Sequence, residues 1–291
     1  MVSIVSRIKG KKRYYYLKHH VRNRQREIYL GRTIPDNIEE IKRNFLLDFY
    51  RKEWLPTLQK IRQGYVKELR KMSKSAIEKE LESFSISFTY NTQRIEGSTL
   101  TLKETALLLE EGIAPTNKPI RDAKEAEAHR NLFFEIIANI KNELSLKTIL
   151  EWHRNLFMEA KPDIAGKIRD HQIRIGASKF VPPRPEVLRL LLQEFFTWYN
   201  REKRKLNPVE LAALIHFKFA TIHPLVDGNG RISRLMMNYM LNKFGYPMFD
   251  INYSDRRSYY TALERSNIKH NDVIFLKWFI GRYIKSNKRY L

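Results

Sequence analysis

The 291-residue chain carries 54 lysines and arginines against 32 aspartates and glutamates, a net charge of +22, with 43% hydrophobic residues and no cysteine. That length supports one large domain or two smaller ones, and the missing thiols exclude disulfides, thiolate metal sites and a cysteine nucleophile. No apolar run approaches the roughly 20 residues that span a bilayer, and charges arrive too early at the N-terminus for a secretory leader, so the expectation is a cytoplasmic protein with no membrane part.

Residues 1–35 come first in chain order. SIVSRI, KKRYYYLKHHV and RQREIYLG are rich in β-formers and predict two or three short strands with basic turns. Ten basic residues stand here against Glu27 alone. A charge of one sign so concentrated makes nucleic acid a candidate partner, and a solvated surface is the competing reading.

Pro35-Asp36 breaks the pattern, and Asp36 with Glu39 resembles a capping box. Ile38, Ile41, Phe45 and Phe49 follow at helical spacing. Helical pattern runs towards Met72, resumes from Ser75 and stops at Gly97. Thr101, Glu104 and Gly112 frame the next helix, so a helical region is expected over 36–115.

Residues 116–291 read as a mainly helical core. RDAKEAEAHRNLFFEIIANI and SLKTILEWHRNLFMEA are amphipathic, and helices are expected at Pro185–Asn200, Asn207–Thr221, after Gly230, and once or twice between Asp255 and Lys285. One stretch departs from this. In QIRIGASKFVPPRP (172–185) Ile173 and Ile175 alternate before Gly176 and a proline cluster, which predicts a short hairpin of the kind that serves a site.

HPLVDGNGRISR, His223 to Arg234, crowds a base, an acid, two glycines and two arginines together after an apolar helix. Pro224 ends that helix. DGNG has turn chemistry, and RISRLMMNYML opens a new helix whose free N–H groups attract anions. Arg231 and Arg234 lie three apart on its first turn and can grip phosphate oxygens. Asp227 beside such a site suits Mg²⁺, and a histidine can take a proton near neutral pH. The residues thus point to phosphoryl or nucleotidyl transfer to a hydroxyl.

The same stretch resembles the signature of the Fic (filamentation induced by cAMP) family, HPFxDGNGRxxR, with Leu225 in place of phenylalanine. The resemblance runs from TQRIEG to the C-terminal helices and implies a helical core with a β-hairpin flap. It implies AMP transfer from Mg-ATP to a Ser, Thr or Tyr hydroxyl of a protein target that the sequence does not name. His223 would be the general base and Asp227 the Mg²⁺ ligand. Gly228, Asn229 and Gly230 would cradle the α- and β-phosphates, with Arg231 and Arg234 at the β/γ end. Ile173, Arg174, Ile175 and Gly176 match the flap, and Tyr259, Tyr260 and Asn267 the segment against adenine and ribose. Retention of Gly230 favours AMP transfer over the terminal-phosphate transfer of Doc-type relatives. The family also allows a homodimer.

TQRIEG fits the family's inhibitory pattern with Thr92, Glu96 and Gly97 in register. By resemblance, Glu96 would pair with Arg234 and compete with the γ-phosphate; in some relatives this glutamate instead helps to remove AMP. His216, the WHRNLF stretch and the Phe195–Tyr199 cluster are expected in the core, and the other histidines lack metal-ligand spacing.

Overall fold

The computed structural model describes residues 2–21, 24–176 and 178–291. The chain divides into two compact units, Met1–Gln59 and Lys60–Leu291.

In the first unit, β1 (Val2–Lys9), β2 (Lys12–Val21) and β3 (Arg24–Gly31) form an antiparallel meander. Gly10, at φ +62°, makes the tight β1–β2 turn. Strand side chains alternate between faces, so Leu17 and His19 share one face and are buried. His19 lies edge-on to Phe49, ring centroids 4.8 Å apart. Phe49 belongs to α1 (Ile38–Leu69), whose buried Phe45, Phe49 and Tyr50 recur at the helical spacing expected from the sequence.

In the second unit the remaining helices are α2 (Lys74–Ile95), α3 (Leu102–Glu111), α4 (Ile120–Ala138), α5 (Leu146–Phe157), α6 (Leu188–Glu202), α7 (Pro208–Ile222), α8 (Asn229–Lys243), α9 (Arg256–Ile268) and α10 (Val273–Ser286). Ser73 caps α2 by accepting from the Ala76 N–H. Thr101 and Glu104 form the expected capping box on α3, and Gly112 ends it at φ +70°. Eleven of fifteen residues of α7 and twelve of fifteen of α8 are buried, so this pair is wrapped on all sides. α6 and α10 pack on α7, α4 reaches α2, α3, α5 and α8, and α9 lies on α10.

The hairpin expected over 172–185 does not form; among the described residues the segment is irregular. Pro182, Pro183 and Pro185 have no N–H to give a ladder. Side chains take the carbonyls instead: Gln172 donates to Pro182 O (3.0 Å) and Ile173 O (3.1 Å), and Arg169 donates to Pro183 O (2.5 Å). Among the described residues, no helix is long and apolar enough to cross a membrane.

Candidate active site

α7 starts cleanly, with Asn207 accepting from Val209 N–H and Pro208 at its first position. It ends on His223, which takes the left-handed conformation at φ 51°, ψ 56°. Pro224 prevents the helix from continuing. His223 Nδ1 lies 3.0 Å from Ala220 O. A carbonyl can only accept, so Nδ1 carries the hydrogen and Nε2 keeps a lone pair. Burial lowers the His223 pKa, and Arg169 adds to this, while the Ala220 carbonyl, Glu96 and Asp227 oppose it. The ring is therefore neutral and basic at neutral pH.

Arg169, 3% exposed, ties this turn to the 172–185 segment. Its guanidinium donates to the carbonyls of His223 (2.9 Å), His171 (2.9 Å) and Pro183, and its own N–H to Pro224 O (3.0 Å). A second anchor is Glu264 on α9, whose Oε1 accepts from Ser178 Oγ (3.1 Å) and Lys179 N (2.6 Å). Ile173 and Ile175 are half-buried, whereas Arg174 and Gly176 are exposed.

The loop into α8 is drawn tight by Asn229, whose side chain accepts from Leu225 N (3.0 Å) and donates to Leu225 O (2.8 Å). Gly228 has φ +78°, and a Cβ there would stand 2.4 Å from the Phe157 ring. Glycine is required on both counts. No side chain caps the N-terminus of α8, so its first N–H groups remain available to an anion.

Asp227, on that loop, accepts from Lys161 Nζ (2.5 Å), Arg231 (2.8 Å) and the Gly228 N–H (2.5 Å). Burial opposes its ionisation, but Arg231 and Lys161 outweigh this and hold the carboxyl well below the usual range. Its carbonyl faces His153 Nε2 at 3.2 Å, while His153 Nδ1 accepts from Gly166 N–H (3.0 Å). The Gly166 contact requires the neutral ring, because Nδ1 must keep its lone pair, and burial first, with Arg231, pushes the His153 pKa down to about 4 against the opposing Asp227 carbonyl. Among the described residues no group of three or more His, Asp and Glu could hold a metal unaided. A lone carboxylate does suit Mg²⁺, which takes one or two carboxylates with phosphates and waters. Asp227 fits that chemistry, and a cation at Oδ2 would displace the Lys161 ammonium.

The two arginines diverge. Arg231 is buried over the Phe157 ring (4.6 Å), paired with Glu125 and Asp227 and close to Gln93 Oε1 (3.4 Å). Arg234, fully buried, donates to Thr92 Oγ1 (3.2 Å), Thr92 O (3.4 Å), Tyr259 Oη (3.3 Å) and Glu96 Oε1 (2.6 Å). Burial disfavours its charge, and Glu96 and Tyr259 more than restore it. Glu96 is the C-cap of α2, followed by Gly97 at φ +102°. Its carboxylate lies across Gly230, where a Cβ would meet Glu96 Oε1 at 2.3 Å.

Tyr259 stands behind Arg234, buried, its hydroxyl 2.9 Å from His216 Nε2. Tyr260 is 37% exposed and donates to Ile95 O (3.1 Å). Asn267 Oδ1 accepts from Thr221 Oγ1 (2.8 Å). Of the residues singled out in the sequence, His223, Asp227 to Arg231, Arg234, Thr92 and Glu96 converge, and Tyr259 sits one layer deeper. Glu125, His153, Lys161, Arg169 and Glu264 escape sequence reasoning; they lie 54 to 106 residues from the partners that place them at the site.

The Fic/DOC family model matches residues 143–241. The protein adenylyltransferase fic-1 of Caenorhabditis briggsae is 36% identical over 186 residues, covering 62% of this chain and 36% of that protein. This chain thus spans little more than a third of the length of the curated relatives it matches. A Fic domain containing signaling protein from Bacteroides thetaiotaomicron superposes with a TM-score of 0.73 at 27% identity, over 80% of this chain and 94% of that one. A Fic-1 structure from Caenorhabditis elegans gives 0.72 at 26% identity, over 87% and 75%. With the His223–Arg234 loop inside the matched segment, the chain carries a domain of the Fic/DOC family.

Proposed function

We propose that this site transfers AMP from Mg-ATP to a Ser, Thr or Tyr hydroxyl of a protein target, and that Glu96 restrains it. One observation carries the reading: the Glu96 carboxylate lies beside Gly230 in the first turn of α8 and pairs with Arg234, where a phosphate anion would otherwise sit. The names of the curated relatives, protein adenylyltransferases, support the chemistry.

His223 Nε2 takes the proton of the target hydroxyl, whose oxygen bonds to the α-phosphorus as the bond to the bridging oxygen breaks and pyrophosphate leaves. The N–H groups of Asn229 and Gly230 face the phosphates, and Arg231 keeps Asp227 in place. Asp227 would hold Mg²⁺, which would supply neutralisation of phosphate charge. The Ile173–Gly176 segment lines the approach of the target, with Tyr260 and Asn267 on the nucleotide side. Arg234 serves one anion at a time, so Glu96 must yield before a γ-phosphate docks.

ATP labelled at α or at γ, given to wild type, Glu96→Gly and His223→Ala, tests both claims. Label from α should appear on protein, rise in Glu96→Gly, and fall about 10²–10⁴-fold in His223→Ala. Label only from γ means a kinase. No label in any variant overturns the enzyme reading, and an unchanged Glu96→Gly overturns the restraint.

A further inference from the structure

The β1–β3 sheet has two unlike faces. Leu17 and His19 pack one of them against α1. The other carries three tyrosines side by side. Tyr16 on β2 pairs directly with Tyr29 on β3, ring centroids 5.3 Å apart, and Tyr14 lies 6.2 Å from Tyr29. Tyr29 is 54% exposed. A face meant only for water needs no such cluster of large rings.

The charges on that face are nearly all of one sign. Arg7 sits over the Tyr16 ring at 4.7 Å. Lys9 and Lys12 pair across β1 and β2 beyond the rings, and Lys18 lies at the other end of the same face. Glu27 is the sole acid in residues 1–35, and Arg7 already holds it at 2.8 Å. Flat rings flanked by cations match the way single strands are held, with bases stacked on aromatics and phosphates tracked by lysine and arginine.

We propose that this face binds an unpaired stretch of RNA, the tyrosines stacking on bases while Arg7, Lys9, Lys12 and Lys18 meet phosphates. A duplex hides its base faces inside the stack, and an acidic peptide would use the cations but not the rings. Unpaired bases persist in the loops, bulges and ends of folded RNA, which sets the occupant. The inference is independent of the chemistry at His223.

The test is fluorescence anisotropy on the full chain with an oligouridylate of about 15 nucleotides, near the site size of one such platform. An equal-length oligothymidylate and an RNA duplex serve as competitors. Oligouridylate should bind tightest, and four phosphate contacts would cost about 50-fold in affinity between about 50 and 200 mM salt. Tyr29→Ser should weaken binding on the order of tenfold. The double change Lys9→Glu with Lys12→Glu lies on exposed positions that pack nothing, so it should weaken binding with the fold intact. Lys147→Glu, an equally exposed charge on α5, should not. Absent binding, duplex or DNA binding as tight as RNA, or an equal loss in Lys147→Glu would overturn the proposal. So would full affinity in a Tyr29→Ser protein whose circular dichroism matches wild type.

Discussion

Arg231 and Arg234 stand one turn apart on α8, both buried, both facing a glutamate, and yet their surroundings differ in kind. Glu125 presses on Arg231 from the middle of α4, its side chain only 10% exposed, and Asp227 and Lys161 close the group into a four-charge network. Glu96 reaches Arg234 from the C-cap of α2, with 23% of its side chain exposed and Gly97 behind it. The first glutamate is fixed within a helix; the second sits on a helix end that can fray. A buried ion pair can therefore be scaffold or latch, and the element that carries the acid decides which.

Neutralising each glutamate should separate the two roles. Glu96→Gly should raise transfer by roughly 5–150-fold, the range of an ordinary coupling energy, although it also costs stability by taking the paired carboxylate from the buried Arg234. Glu125→Gln should give no activation and destabilise the fold by about 3 kcal/mol in urea unfolding, since it leaves Arg231 under-compensated. Activation by Glu125→Gln would erase the distinction.

Gly228→Ala probes the loop both arginines share. It forces a Cβ against Phe157 and a side chain into a positive-φ site, a cost of about 2 kcal/mol, read as a lowered Tm. An unchanged Tm would mean that the loop is not clamped as described. A further test is with pH. Burial drives His129 and His216 down to about 3, with Arg234 adding to both and Arg231 to His129. The unfolded histidines titrate near 6.5, so the stability they contribute is complete above that pH. It falls away between about 6.5 and 3, by at most about 1.4 kcal/mol per unit for each ring. Stability flat from pH 7 to 4.5 would show that these rings do not stay neutral beside the arginines.

What could be read from the sequence was what acts locally. The Thr101–Glu104 box, the Pro224 stop and the DGNG turn each rest on neighbours within four residues, and each formed as expected. The 172–185 hairpin did not, because its alternation was real but Arg169 and Gln172 take the carbonyls that a ladder needs. WHRNLF read as core, and His153 and Phe157 are indeed buried, yet they also floor the DGNG loop. Lys161 meets Asp227 across 66 residues, a pairing that no periodicity announces.

His223 occupies the left-handed region at φ 51°, where the Cβ of an L-residue crowds the following carbonyl and stores about 1–2 kcal/mol of strain. Glycine or asparagine would relieve that strain most readily, and either would remove the base. At this one codon, selection for thermal endurance and selection for turnover pull in opposite directions. A library screened only for heat tolerance should drift here early and yield robust, inert proteins.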